Sequence, residues 1–358
     1  KKNTHRGFLA VCSMVRSVPV VASATEDDGM AGELVISSLP LETRCLPFPL
    51  RRYGGFWFAE PMLPGIAAVR ARFQPRPSDV FLVTYPKAGT TWLKALAFAT
   101  TNRVQHPPRG PDHPLRHRNP HDCVHFLEMA FAGAPAADGG EDVLAALPLP
   151  RVLATHMPYP LLPARVAAEG GSGGRMVYVC RDPKDALVSM WLFTQKKLAA
   201  EANGSDPPKP YTIEEAVELF CDGRAICGPQ WRHAAGYWEA SQKFPGKVLF
   251  LRYEEMLRDP AGNVRKLAEF MGCAFSGEEE AAGVAQDIVE LCSIDVLKNM
   301  EVNKKGSQKY MKNETFFRKG VAGDWSNHMT PAMAERLDKI VEEALQGTGF
   351  TFAPAQSA

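Results

Sequence analysis

The chain has 358 residues, 45% of them hydrophobic and 23% charged, a globular composition that excludes a disordered or fibrous protein. Lys+Arg 41 against Asp+Glu 40 leaves a formal net charge of +1, so no global field draws it to nucleic acid or an anionic membrane, and any anion site must be local. This length suits two average domains or one large α/β domain.

The first 25 residues hold no acid but carry Lys1, Lys2, Arg6 and Arg16 among Ser, Val and Ala. Organelle transit peptides have this composition, and so do plain tails. Residues 1–30 are therefore expected to be a flexible or targeting-like extension, and residues 31–354 the folded domain. No apolar stretch reaches the ~18 residues of a membrane span. Cys12, Cys45, Cys123, Cys180, Cys221, Cys227, Cys273 and Cys292 form no CxxC pair; they predict reduced thiols in a cytoplasmic protein, with the plastid as the alternative.

Four short apolar runs, at Val80–Thr84 and at residues 151–154, 176–180 and 247–251, read as strands buried on both faces of a parallel sheet. Helical patterns follow the first at 91–100 and the third at 185–196. This alternation predicts an α/β fold, a single domain with a central parallel sheet flanked by helices. Loop-like segments at 101–123, 132–142, 167–174 and 197–210, dense in Gly, Pro or polar residues, interrupt it. Just past the four strands stand Lys87, His156, Arg181 and Tyr253. Open α/β sheets bind ligands beyond the carboxyl ends of their strands, so these residues predict one site.

Tyr85-Pro86-Lys87-Ala88-Gly89-Thr90-Thr91-Trp92 joins the first strand to its helix. A lysine, a glycine and two hydroxyls beside exposed amides make an anion cradle. In a nucleoside-triphosphate P-loop the lysine follows the second glycine of GxxxxGK, and no such P-loop occurs. Guanidinium, ammonium and hydroxyl groups suit a phosphate dianion through charge-assisted bonds of roughly 1.5–3 kcal/mol each, and glycine admits close approach of the chain. His156, at a strand end in Ala154-Thr155-His156-Met157-Pro158-Tyr159, is a candidate general base. His113, His117, His121 and His125 recur at four-residue spacing, but Pro114 and Pro120 break any helix that would align them, so no metal site is expected.

The loop at residues 85–92 resembles the phosphosulfate loop of the cytosolic sulfotransferases. Cys180-Arg181-Asp182-Pro183-Lys184-Asp185-Ala186-Leu187-Val188-Ser189 is similar to that family's 3′-phosphate motif, and Arg318-Lys319-Gly320-Val321-Ala322-Gly323-Asp324-Trp325 to its RKGxxGDW signature. Ile36-Ser37-Ser38-Leu39-Pro40, Gly55-Phe56-Trp57-Phe58 and Asn119-Pro120-His121-Asp122 resemble the plant branch. The matches run in family order over residues 33–352.

The resemblance implies sulfuryl transfer from 3′-phosphoadenosine 5′-phosphosulfate (PAPS), without a metal, to a hydroxyl of a small apolar plant metabolite of flavonoid, steroid, jasmonate or strigolactone type. It makes Lys87 and His156 catalytic. It assigns the donor to Lys87, Ala88, Gly89, Thr90, Thr91, Trp92, Arg181, Ser189, Tyr253, Ser293, Arg318, Lys319 and Gly320, and the acceptor pocket to His125, Phe126, Met157, Trp191 and Phe193. Ala88 and Ile294 depart from the usual hydroxyl residue and the usual aromatic. Ser326, Thr330, Pro331 and Glu335 half match the family's dimer patch, implying a monomer or a weak homodimer. The alternatives are a kinase-like P-loop phosphotransferase and a non-catalytic nucleotide-binding module.

Overall fold

A computed structural model describes residues 35–132, 144–167, 173–201, 211–308 and 311–352. The chain enters through an antiparallel sheet that was not anticipated from the sequence: β1 (Leu41–Glu42), β2 (Leu50–Tyr53) and β3 (Phe56–Ala59), in the order β1-β2-β3. Gly54 and Gly55, at φ +56 and +83, turn the chain between the paired residues Tyr53 and Phe56, a conformation that favours glycine.

The four expected strands form one parallel sheet: β4 (Val80–Thr84), β5 (Val152–Thr155), β6 (Arg175–Cys180) and β7 (Val248–Arg252), ordered β5-β4-β6-β7. Alternate residues face two different cores. Phe81, Val83, Met176 and Tyr178 join one apolar cluster, while Val80, Leu82, Val177 and Val179 join the other. Burial on both faces explains the unbroken apolar runs.

The first core packs against helices α1 (Leu63–Arg72), α3 (Leu127–Ala132), α4 (Pro183–Glu201), α5 (Gln230–Lys243) and α8 (Pro331–Leu345); α2 (Thr90–Thr101), α6 (Pro260–Met271) and α7 (Val284–Leu291) cover the second. Two boundaries differ from expectation. Helix α4 continues through residues 197–201, which read as loop, because Lys, Leu, Ala and Glu propagate a helix well and Leu198 is buried. The 101–123 segment contains two short turns, Pro114–Arg116 and Pro120–Cys123, each with proline in its first turn and capped by His113 or Asn119. The segment 132–142 lies outside the described residues except for Ala132, and 167–174 and 202–210 lie largely or wholly outside them.

The parallel register pairs Val83 with Thr155, Thr84 with Val179, and Cys180 with Arg252. All four strands therefore end on one rim, with Lys87, His156, Arg181 and Tyr253 next along the chain.

Candidate active site

The β4–α2 connection is a tight anion loop. Lys87 at φ +67 and Gly89 at φ +101 bend it left-handed. A methyl group at Gly89 would come within 2.8 Å of the Tyr253 ring, so this glycine is required by both conformation and space. No side chain caps α2, which leaves its first N–H groups directed into the loop. The Thr84 and Thr90 hydroxyls bond at 2.6 Å beneath it, and Ala88 is fully buried.

Arg181 braces this loop. Its guanidinium donates to the Lys87 carbonyl at 3.1 Å and to the Val321 carbonyl at 2.9 Å, and it lies 4.6 Å over the Tyr253 ring. Its Nε is buried with no partner. Trp92 meets Tyr253 edge-on at 5.6 Å. Asp182 caps α4 through the Lys184 N–H at 2.7 Å. In the first turn of that helix, the buried Asp185 carboxylate accepts the Gly323 N–H at 2.7 Å and the Trp325 N–H at 3.1 Å, pinning the 318–325 segment beside the loop. Arg318 and Lys319 both bond Asp324. Burial raises the Asp324 carboxyl, but the hydrogen bonds from Lys319, Arg318 and Asn327 win and hold it well below the carboxylate range. Gly320, at φ +67, packs on Ile294.

Lys87, Ser189, Leu192, Phe193, Lys196, Thr315 and Arg318 line one small cavity. Burial, together with Arg181, Arg318 and Lys196, brings the Lys87 ammonium down to about 7. A concentration of cations with an orphaned buried guanidinium N–H is the chemistry of a polyanion site.

His156 follows the neighbouring strand β5 on the same rim. Its Nδ1 lies 2.8 Å from the Thr84 carbonyl oxygen. A carbonyl only accepts, so Nδ1 carries the proton and Nε2 keeps its lone pair. The backbone is held on both sides: the His156 N–H donates to Glu128 at 2.9 Å, and its carbonyl accepts from His233 Nε2 at 3.1 Å. Burial is the main cause that brings His156 to about 3; the Thr84 hydrogen bond opposes it, and Lys94, His233 and Lys87 add to it. The ring is neutral at physiological pH.

A chain of ring contacts links His156 back to Lys87. Phe126 is 4.8 Å from His156 and 5.5 Å from His121; His121 is 4.4 Å from Phe316; Phe316 is 6.3 Å from Phe193. Lys87 Nζ then sits 4.1 Å over Phe193. Phe126 and Phe193 thus fall beside the two proposed catalytic groups, and the His125 carbonyl accepts from Ala154 N–H, tying this segment to β5.

Two residues expected in the acceptor pocket are engaged elsewhere: Met157 is fully buried, its carbonyl accepting from the Tyr237 hydroxyl at 2.7 Å, and Trp191 donates to the Tyr211 carbonyl and lines a separate apolar cavity with Cys45, Met190 and Phe220. Ser293 caps a short helix through the Val296 N–H at 3.3 Å, next to Ile294, which packs on Gly320. Sequence reasoning missed Glu128, Asp185, Thr84 and Lys94. Glu128 and Lys94 are fully buried ionisable residues inside helical apolar patterns, and a charge at such a position was the available signal. The loop histidines separate: His113 caps Leu115, His117 Nε2 lies near the Pro111 carbonyl, and His121 bonds Lys94 and Thr91.

A family profile described as "Sulfotransferase domain" matches residues 77–349. The chain belongs to the sulfotransferase family. Cytosolic sulfotransferase 17 of Arabidopsis thaliana is 41% identical over 322 residues, covering 88% of this chain and 88% of its own. Cytosolic sulfotransferase 12 of the same plant is 41% identical over 330 residues, 92% of this chain and 96% of its own. A solved Arabidopsis thaliana structure, provisionally described as a steroid sulphotransferase, matches with a TM-score of 0.68 and 36% identity over 92% of this chain and 98% of that one. Retinol dehydratase in complex with androsterone and the inactive cofactor PAP shares the fold at a TM-score of 0.66 and 21% identity, over 88% of this chain and 93% of that one. The resemblance carried by the three motifs is therefore membership, and sulfuryl transfer is the reaction of this sulfotransferase. Among its described residues, no helix is long and apolar enough to cross a membrane.

Proposed function

We propose that this sulfotransferase moves a sulfuryl group from PAPS to a hydroxyl of a small apolar acceptor, a plant metabolite of flavonoid, steroid, jasmonate or strigolactone type. It acts in the cytoplasm, with residues 31–354 as its catalytic domain. The observation that carries this reading is the His156 tautomer: a fixed Nδ1–H and a free Nε2 lone pair, on the same strand-end rim as Lys87.

PAPS when bound supplies the activated sulfuryl group, with adenosine 3′,5′-bisphosphate (PAP) as its leaving group. Lys87, the α2 amides, Thr90 and Thr91 hold the anionic centre, and Lys87 stabilises charge on the departing oxygen. Arg181 Nε, Ser189, Arg318 and Lys319 bind the 3′-phosphate. Trp92 and Tyr253 flank the base. His156 Nε2 takes the acceptor proton. An imidazole near 3 is a weak base at rest, but the acceptor oxygen becomes strongly acidic as its bond to sulfur forms, so transfer late in the reaction suffices. Phe126, Phe193 and Phe316 exclude water.

The test is radiolabelled sulfate transfer from PAPS to a panel of hydroxylated plant metabolites. At least one should give a labelled sulfate ester without added metal. Transfer from ATP, or PAP binding no tighter than AMP binding, would contradict the assignment.

A further inference from the structure

Lys94 is fully buried on α2, one helical turn past Thr90 in the anion loop. Its Nζ lies 3.0 Å from His121 Nδ1 and 3.3 Å from the centroid of Phe126, the ring that also packs on His156. His121 Nε2 is 3.0 Å from the Thr91 hydroxyl. Among the described residues, no carboxylate lies within 4.0 Å of this ammonium. Asp122 is engaged with Gln308 at 2.9 Å, and Glu128 accepts from the His156 N–H at 2.9 Å through one oxygen while its other oxygen is buried without a hydrogen-bond partner; both carboxylates act on Lys94 only through space.

A buried cation whose hydrogen-bond partner is a neutral ring costs several kcal/mol, and proteins ordinarily pair such a charge. Leucine or methionine at this helical position would fill the same space without that cost. The lysine is thus placed for a group that arrives, and the near wall it shares with His156 is the acceptor side of the rim.

We propose that Lys94, oriented by His121, is a specificity-determining residue that takes an anionic oxygen of the acceptor, selecting hydroxy acids over equally greasy neutral alcohols. This rests on the sulfotransferase reading given above and narrows its acceptor to molecules with a carboxylate near the sulfated hydroxyl. Burial drives the Lys94 ammonium well below the ordinary lysine range; a carboxylate beside it restores the charge.

The test is calorimetric affinity of the PAP-loaded protein for hydroxy acids of graded length, each paired with its methyl ester: 4-hydroxyphenylacetate, 3-(4-hydroxyphenyl)propanoate, 6-hydroxyhexanoate and 12-hydroxydodecanoate. PAP affinity is measured first, so failure of the donor assignment is seen separately. At least one acid should bind at least tenfold more tightly than its ester. Lys94→Met should bring that ratio to about one while PAP affinity stays within twofold, and Lys94→Arg should retain a preference. Should Lys94→Met fail to fold, His121→Gln, which leaves the lysine in place but removes its holder, should still cut the ratio at least threefold. Ratios near one for every pair in the wild type, or a preference that survives Lys94→Met, would overturn the proposal.

Discussion

The two walls of the site are built differently. The donor wall has at its centre a strand, the loop at residues 85–89 and a helix from one continuous stretch, whose geometry is local: Gly89 turns, α2 begins uncapped, and Lys87 sits between, with Arg181 and the 318–325 segment bracing it from outside. The acceptor wall is assembled from distant pieces. Glu128 holds the His156 amide, Lys94 meets His121, and Phe193 meets Phe316. Chemistry common to every acceptor can be written into a contiguous motif, whereas selectivity is spread over several elements whose proximity only the fold creates.

The largest expected effect lies on the local wall. Lys87→Ala should lower kcat about 10²–10³-fold while changing donor affinity much less, since charge on the bridging oxygen develops in the transition state. Steady-state and single-turnover kinetics separate the two, and normal turnover with a raised KM would make Lys87 a ground-state contact only. Next, Arg318→Ala should reduce the preference for PAP over AMP, which lacks the 3′-phosphate, by at least about tenfold. Lys319 and Asn327 still bond Asp324, so the segment should keep its shape; an unchanged preference by calorimetry would remove Arg318 from the phosphate site.

Protonation gives a third measure. Lys87 stands at about 7 in the free protein, and an anion binds its charged form. PAP affinity should therefore fall only modestly as pH rises through 7, by no more than the small loss expected for Lys87→Ala, and then level off, with binding accompanied by proton uptake near and above pH 7. Lys87→Met should flatten that slope, and a wild-type profile level from pH 6 to 9 would contradict the assigned charge state. The smallest effect tests the far side of the histidine loop. His113 is buried and caps the Leu115 N–H at 3.2 Å, so His113→Ala should cost about 1 kcal/mol in denaturant unfolding and leave kcat within twofold.

The parallel sheet and its rim were legible because burial on both faces gives unbroken apolar runs, and loops at strand ends carry side chains such as Lys87 and His156. The anion loop was legible because its function is local backbone geometry. The β1–β3 sheet was not, since its strands span two to four residues and carry little periodic signal. Lys94 and Glu128 escaped because one charge inside a helical pattern does not reveal what it will face. Met157 shows the converse: an apolar side chain beside a functional residue in sequence is turned into the core by the strand's alternation, while Trp191, two residues from Ser189, lines a separate cavity.

The most direct test of the central claim is single-turnover transfer of labelled sulfate by wild type and His156→Gln, side by side, with the donor bound in both. Glutamine keeps a polar side chain of similar reach but cannot usefully accept the acceptor proton. Unchanged donor affinity with transfer slowed at least about 100-fold is the predicted result. Transfer at the wild-type rate would show that the proton leaves by another route and that the free Nε2 lone pair is not what makes this rim a reaction centre.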